Sequence, residues 1–254
     1  MPEISVDVLR DILDYVDKAD LATMCRVSKI FCSCSQDVLY RDICVEESIG
    51  PRVHHTLARS AHLARRVHSF DSCYEDPDLA MALQNMTSLR NLNLPTGIYM
   101  DIIDGCTFKL DSLGCYGVDN HNESFQRFIS SQPSLKSVTF TMHLDPTLSL
   151  DATSLPNLTR IKATFPWLPH LIPGRPLNEV ILISYFSYET PTDLSFFALS
   201  TTPIRKLAID YSYLGLTPVH LLASFLPSLE HFTLTVISHK TVFKDEGVCG
   251  LPLY

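Results

Sequence analysis

The feature that most limits what this chain can become is a short motif, apolar-x-x-apolar-x-(apolar or small). Its first positions are Val67, Leu89, Leu110, Leu135, Leu158, Leu177, Ile204 and Leu229, at steps of 22, 21, 25, 23, 19, 27 and 25 residues. The clearest copies are Leu89-Arg90-Asn91-Leu92-Asn93-Leu94, Leu135-Lys136-Ser137-Val138-Thr139-Phe140 and Leu229-Glu230-His231-Phe232-Thr233-Leu234. Pro-Ser-Leu leads into two of them, from Pro133 and Pro227. Alternation of this kind belongs to a strand with one buried face. Between copies, Leu79-Leu83-Met86, Phe125-Phe128-Ile129 and Val219-Leu222-Leu226 fall three or four apart, as on one side of a helix. A single strand-turn-helix unit cannot cover its own apolar face, so successive units must stack as a solenoid. The span Asp145 to Pro176 is different: Pro146, Pro156, Pro166, Pro169, Pro173 and Pro176 make helices unexpected there and extended loops the expectation.

Ahead of the repeats lies a different kind of segment. Ile4, Val8, Leu9, Ile12, Leu13 and Val16 follow helical spacing. Asp20 is the expected N-cap of a second helix carrying Leu21, Met24 and Cys25, and a third helical stretch carries Ile30, Phe31, Val38, Leu39 and Ile43. About 45 residues in three short helices bury little surface by themselves, so their apolar stripes call for a second surface.

The order of residues in this module resembles a fungal-type F-box. The resemblance rests on Met1-Pro2-Glu3-Ile4, Val8-Leu9-Arg10-Asp11-Ile12-Leu13, Asp20-Leu21, Arg26-Val27-Ser28-Lys29-x-Phe31 and Val38-Leu39-Tyr40-Arg41. Met1 stands where that family has Leu, and Phe31 where many members have Trp. The resemblance implies docking on the Skp linker subunit, and through it a cullin, with Pro2, Ile4, Leu9, Ile12, Leu13, Leu21, Val27, Ser28 and Leu39 as contact positions. Packing of the same residues on the rest of the chain is the alternative. The repeats, whose mean step of about 23 suits leucine-rich repeats, resemble the degenerate copies often found behind F-boxes. The expected architecture is α/β: an F-box-like module over 1–46, a linker over 47–62, and a leucine-rich-repeat-like solenoid of about eight repeats over 63–254.

Charge and cysteine usage narrow the functions further. The formal net charge is −8, of which residues 1–50 contribute −5, and that argues against nucleic acid as a partner. The sequence has no apolar run of about 18 residues and no secretory leader, so neither a membrane span nor secretion is expected. Eight cysteines without a C-x-x-C pair suit reduced thiols in a cytoplasmic or nuclear protein rather than a zinc site. No metal, cofactor or enzymatic activity is expected, because no nucleophile elbow, phosphate loop or H-E-x-x-H motif occurs. Cys115, in Gly114-Cys115-Tyr116-Gly117, and His54 are the residues a cysteine-dependent hydrolase would have to use. Cys115 reads as a core cysteine, and His54-His55 as a solvated linker pair without an acidic companion.

Side chains between the apolar positions of each motif should line the solenoid's concave face. They include Arg90, Lys136, Arg160, Lys162, Arg205 and Lys206 against Asp71, Asp111, Glu179, Asp210 and Glu230. So small an excess favours ordinary solvated polarity, and a preference for an acidic or phosphorylated segment of a protein target is the sharper reading. Together these features point to a non-catalytic substrate receptor of a Skp–cullin–F-box ubiquitin ligase. A protein-interaction scaffold with no ligase link is the first alternative, and the hydrolase the second.

Overall fold

Every copy of the motif is a short strand that begins two residues after the copy's first apolar position. This holds in the computed structural model, which describes residues 5–94, 100–116, 123–141, 150–183, 193–210 and 223–235. In chain order the strands are β1 (Asp42–Val45), β2 (Ser69–Ser72), β3 (Asn91–Leu94), β4 (Ser112–Cys115), β5 (Ser137–Phe140), β6 (Arg160–Ala163), β7 (Glu179–Leu182), β8 (Lys206–Asp210) and β9 (His231–Thr235). The chain divides into two units, one built from residues up to Arg90 with 106–108, the other from Asn91 onward.

In the first unit, α1 (Val6–Leu13) is capped by Ser5, whose hydroxyl accepts from Asp7 N–H at 3.2 Å. α2 (Lys18–Met24) is capped by Asp17 and not, as expected, by Asp20: it is the Asp20 amide that donates to Asp17, at 2.9 Å. α3 (Lys29–Leu39) starts at Ser28, which accepts from Phe31 N–H. Ile43, expected in this helix, lies instead in β1, paired in parallel with β2 so that Ile43 faces Phe70 and Val45 faces Ser72. Tyr40-x-x-Ile43-x-Val45 is therefore one more copy of the motif, with an aromatic first residue.

The stretch 47–62, expected as a linker, is largely helical. It folds as α4 (Gly50–Arg59), with Pro51 in the first turn where a missing N–H costs nothing, and α5 (Ala61–Ala64). α4 packs on α6 (Leu79–Asn85), and the Asn85 carboxamide donates to the carbonyls of Leu57 and Ala58 at 3.2 and 2.8 Å.

In the second unit β3 to β9 run parallel and side by side in chain order, with Leu92 beside Leu113, Val138 beside Ile161 and Val180 beside Leu207. Their second and fourth residues are buried from β3 to β8, whereas Phe232 and Leu234 of β9 are exposed. Ser134 of one Pro-Ser-Leu step donates to the Leu110 carbonyl at 2.8 Å, tying adjacent repeats together. The helix α7 (Glu123–Ser130) brings Phe125 against Phe140 and Trp167 in an edge-on aromatic cluster. Val219 and Leu222 lie outside the described residues, and Leu226 is buried.

The proline-rich span departs from the expectation of loops. A 3-10 turn (Phe165–Trp167) and α8 (Leu168–Leu171) form there, because Pro166 and Pro169 occupy first turns, where proline is tolerated. Pro146 lies outside the described residues. What holds the span is Arg175, whose buried guanidinium donates to the carbonyls of Ser154 (3.0 Å), His170 (2.9 Å), Pro173 (3.0 Å) and Asp151 (2.9 Å). Gly174 beside it has φ +76°, and a Cβ there would lie 2.7 Å from the Ala152 carbonyl oxygen.

Candidate functional site

The helices of the first unit close on themselves. Leu9, Leu13, Leu21 and Cys34 form a buried cluster with Val16, Met24, Phe31, Val38 and Leu39 packed around it. Asp37 of α3 braces the cluster from outside, pairing with Arg10 at 3.1 Å and with Arg66, while Arg41 reaches Asp14 at 2.9 Å. Leu9, Leu13 and Leu21 thus point inward and offer nothing to a partner while the module stays folded; what covers them is the module's own α2 and α3 rather than a second surface. Leu39 is half-buried against the same cluster, and Ser28 is exposed with its hydroxyl engaged in capping. Pro2 and Ile4 lie outside the described residues.

The apolar arc of this module is wider than its core requires. Leu9, Leu13 and Val16 trace one line along α1 and the turn after it, while Val8, Ile12 and Tyr15 trace a second line one residue earlier, about 100° round the axis. The first line is packed, and the second is open: Val8 and Ile12 are each 51% exposed and Tyr15 is 93% exposed. At the turn from α2 to α3, Val27 (66%) and Ile30 (58%) add to this bare apolar surface. Of the nine positions implied by resemblance, Ile12 and Val27 are the exposed apolar ones among the described residues. Val8, Tyr15 and Ile30 were not in that set, and the signal for them was the arc's width, since one amphipathic stripe needs only one of the two lines.

The cations expected on the sheet sit differently from the expectation. Arg160, Lys162 and Lys206 do occupy outward positions of β6 and β8, but Lys136 and Arg205 lie one residue before their strands, at the sheet's rim. Three of the five pair with an acid of an adjacent repeat: Lys136 with Asp111 just before β4 at 2.9 Å, Arg160 with Glu179 of β7 at 3.5 Å and Arg205 with Glu230 just before β9 at 2.9 Å. Arg90 is exposed and belongs to the first unit. Neighbouring repeats supply opposite charges in register, so three of these cations are engaged by the chain's own acids.

His54 is not solvated and does have an acidic companion. It is fully buried, with Nδ1 2.7 Å from Asp76 Oδ2 and Nε2 3.2 Å from Ser72 Oγ. Serine, imidazole and carboxylate stand here in the order of a hydrolytic relay, yet the serine cannot act as a nucleophile. Ser72 is buried, and its hydroxyl donates to the Tyr74 carbonyl at 2.8 Å rather than handing its proton to His54. Asp76 meanwhile accepts from the amides of Asp78 and Leu79 at the start of α6. The cluster is a brace between α4, β2 and α6, repeated at the surface by His55 and Asp78 at 2.9 Å. Cys115 lies in β4 with its side chain in the core, and burial pushes its thiol far above the ordinary value, the reverse of what a nucleophile requires. Gly117 lies outside the described residues.

Comparison with known families adds one finding. Residues 1–42 match the F-box domain, which is the segment whose helices carry the open apolar line. No curated protein matches the chain. F-box domains bind the Skp linker subunit of ubiquitin ligases, and proteins that carry them are generally non-catalytic adaptors.

Proposed function

We propose that this chain is a substrate-receptor subunit of a Skp–cullin–F-box ubiquitin ligase, acting in the cytoplasm or nucleus and doing no bond chemistry itself. The observation that carries the reading is the coincidence of the F-box match with an apolar arc only half consumed by its own core. The linker subunit covers Val8, Ile12, Tyr15, Val27 and Ile30, joined by Pro2, Ile4, Ser28 and the exposed part of Leu39. Leu9, Leu13 and Leu21 shape that surface from within.

The stacked strands, read as degenerate leucine-rich repeats of a fungal-type F-box protein, present the target through their outward face. Because three of its cations are paired with acids of adjacent repeats, shape and hydrogen bonding choose the target more than charge does, and a phosphorylated segment gains little there. Tethering then raises the target's local concentration at the transfer site.

Co-expression of the full chain with the Skp linker subunit tests this reading. Ile12→Asp with Val27→Asp is expected to cut capture by about a hundredfold or more, since each removes about 1.5–3 kcal/mol of apolar burial, and to leave the thermal midpoint unchanged. Leu13→Asp is expected to unfold the module, so it cannot serve as a docking probe. A folded, monodisperse chain that fails to capture the linker overturns the assignment and favours the scaffold, a role the module's self-contained core is compatible with.

A further inference from the structure

Two thiols meet where α2 ends and α3 begins. Cys25 is the C-cap of α2, and its thiol points at the carbonyl of Cys32, in the first turns of α3, at 3.9 Å. The Cys32 thiol lies within interaction distance of the same sulfur. The hydroxyl of Ser35, fully buried and otherwise without a partner, faces the Cys25 thiol as well. Cys34 cannot compete for this position: two residues on from Cys32 it lies on the opposite side of α3, sealed in the core beside Leu13 and Leu21.

We propose that Cys25 and Cys32 are a peroxide-oxidisable dithiol that closes to a reversible disulfide, clasping α2 to α3 across the exposed Arg26–Ser28 turn. A thiolate of the pair attacks hydrogen peroxide: a sulfur–oxygen bond forms, the oxygen–oxygen bond breaks, and the departing hydroxide leaves as water. The second sulfur then displaces the hydroxyl from the resulting sulfenic acid, forming the sulfur–sulfur bond and releasing a second water. Two electrons pass from the sulfurs to peroxide, and two thiols with one peroxide become one disulfide and two waters. Burial and the neighbouring thiol both raise the Cys25 thiol, so little thiolate is present at neutral pH and the reaction with peroxide is slow. Ser35 supplies a hydroxyl able to steady a Cys25 thiolate when it forms.

The test uses the full chain, treated with hydrogen peroxide, alkylated with iodoacetamide and digested with trypsin without reduction. Trypsin cuts after Arg26 and Lys29, between the two cysteines. The expected product is therefore peptide 19–26 joined to peptide 30–41, lighter than the sum of its parts by two hydrogens and separated again by dithiothreitol. Peptide 30–41 also holds Cys34, so Cys32→Ser is expected to abolish the joined species and Cys34→Ser to leave it. A link from Cys25 to Cys34 or to another cysteine overturns the proposal, as does complete alkylation of Cys25 after treatment. Conversion of Cys25 to sulfinic acid without a link overturns it equally. The wild-type peptide map decides even if a serine variant fails to fold.

Discussion

Replacing Arg175 by methionine removes four charge-assisted hydrogen bonds at once and fills much the same space. Hydrogen bonds to charged groups contribute about 1.5–3 kcal/mol each, so simple addition would give roughly 6–12 kcal/mol. Two effects reduce that figure. The desolvated guanidinium, whose affinity for its proton burial pulls down, no longer has to be kept from water. Asp151 is exposed and Ser154, His170 and Pro173 are each half-exposed, so part of the loss is recovered where released carbonyls reach water. A net loss of about 3–5 kcal/mol follows, the size expected when one side of a buried charged network is removed.

Trp167, the chain's single tryptophan, is fully buried 4.4 Å from the Phe140 ring and belongs to the same span. Urea unfolding followed by its fluorescence should show the midpoint falling by about 2 M, taking a slope of about 2 kcal/mol/M. Arg175→Lys keeps the charge but concentrates it on one nitrogen that cannot reach four dispersed oxygens, so a little over half the loss should remain. A shift equivalent to less than about 1 kcal/mol for methionine would refute the reasoning. It would mean that the guanidinium's desolvation cancels its bonds.

Other outcomes can be checked with the same protein. Gly174→Ala should destabilise the second unit by about 2–3 kcal/mol in the same urea assay, from left-handed strain of about 1–2 kcal/mol plus the collision with Ala152. Cys115 should resist a thiol-specific reagent in the native chain and react once urea unfolds it; rapid native labelling would show that β4 opens readily. Asp151 and Asp193 are held below the usual carboxylate range, first by the amides of Thr153 and Ser195 respectively. Their contribution is therefore present above pH ~4 and fades as pH falls through the lowered folded values. Asp151→Asn with Asp193→Asn should accordingly lower the urea midpoint at pH 6 and converge with the wild type near pH 2.

The strands are legible because the motif is local: two alternating apolar residues after a leading one mark a strand, although burial depends on what covers it, as the exposed Phe232 and Leu234 of β9 show. β1 escaped notice because Tyr40 stands at the leading position and the preceding residues carry helical spacing up to the motif. α4 does not show in the sequence because its buried side includes His54, and a histidine reads as core only when its partners are known. Asp76, the partner that makes burial tolerable, lies 22 residues away. Periodicity marked the apolar arc of α1 correctly but is blind to which half of it turns inward, so Leu9 and Leu13 were grouped with Ile12. The sheet's cations are plain in the sequence, whereas the pairing of three of them with acids of adjacent repeats depends on register, which a single strand's residues do not reveal.

The one-residue offset between the two lines on α1 separates two kinds of constraint along a single stretch of eight residues. Substitutions at Val8 or Ile12 leave the packing of Leu9 and Leu13 untouched, so affinity for an outside surface can drift or be rebuilt with no penalty in folding. A deletion of one residue within the helix does the reverse: it would bring the outer line inward, preserve greasiness overall, and erase both addresses together.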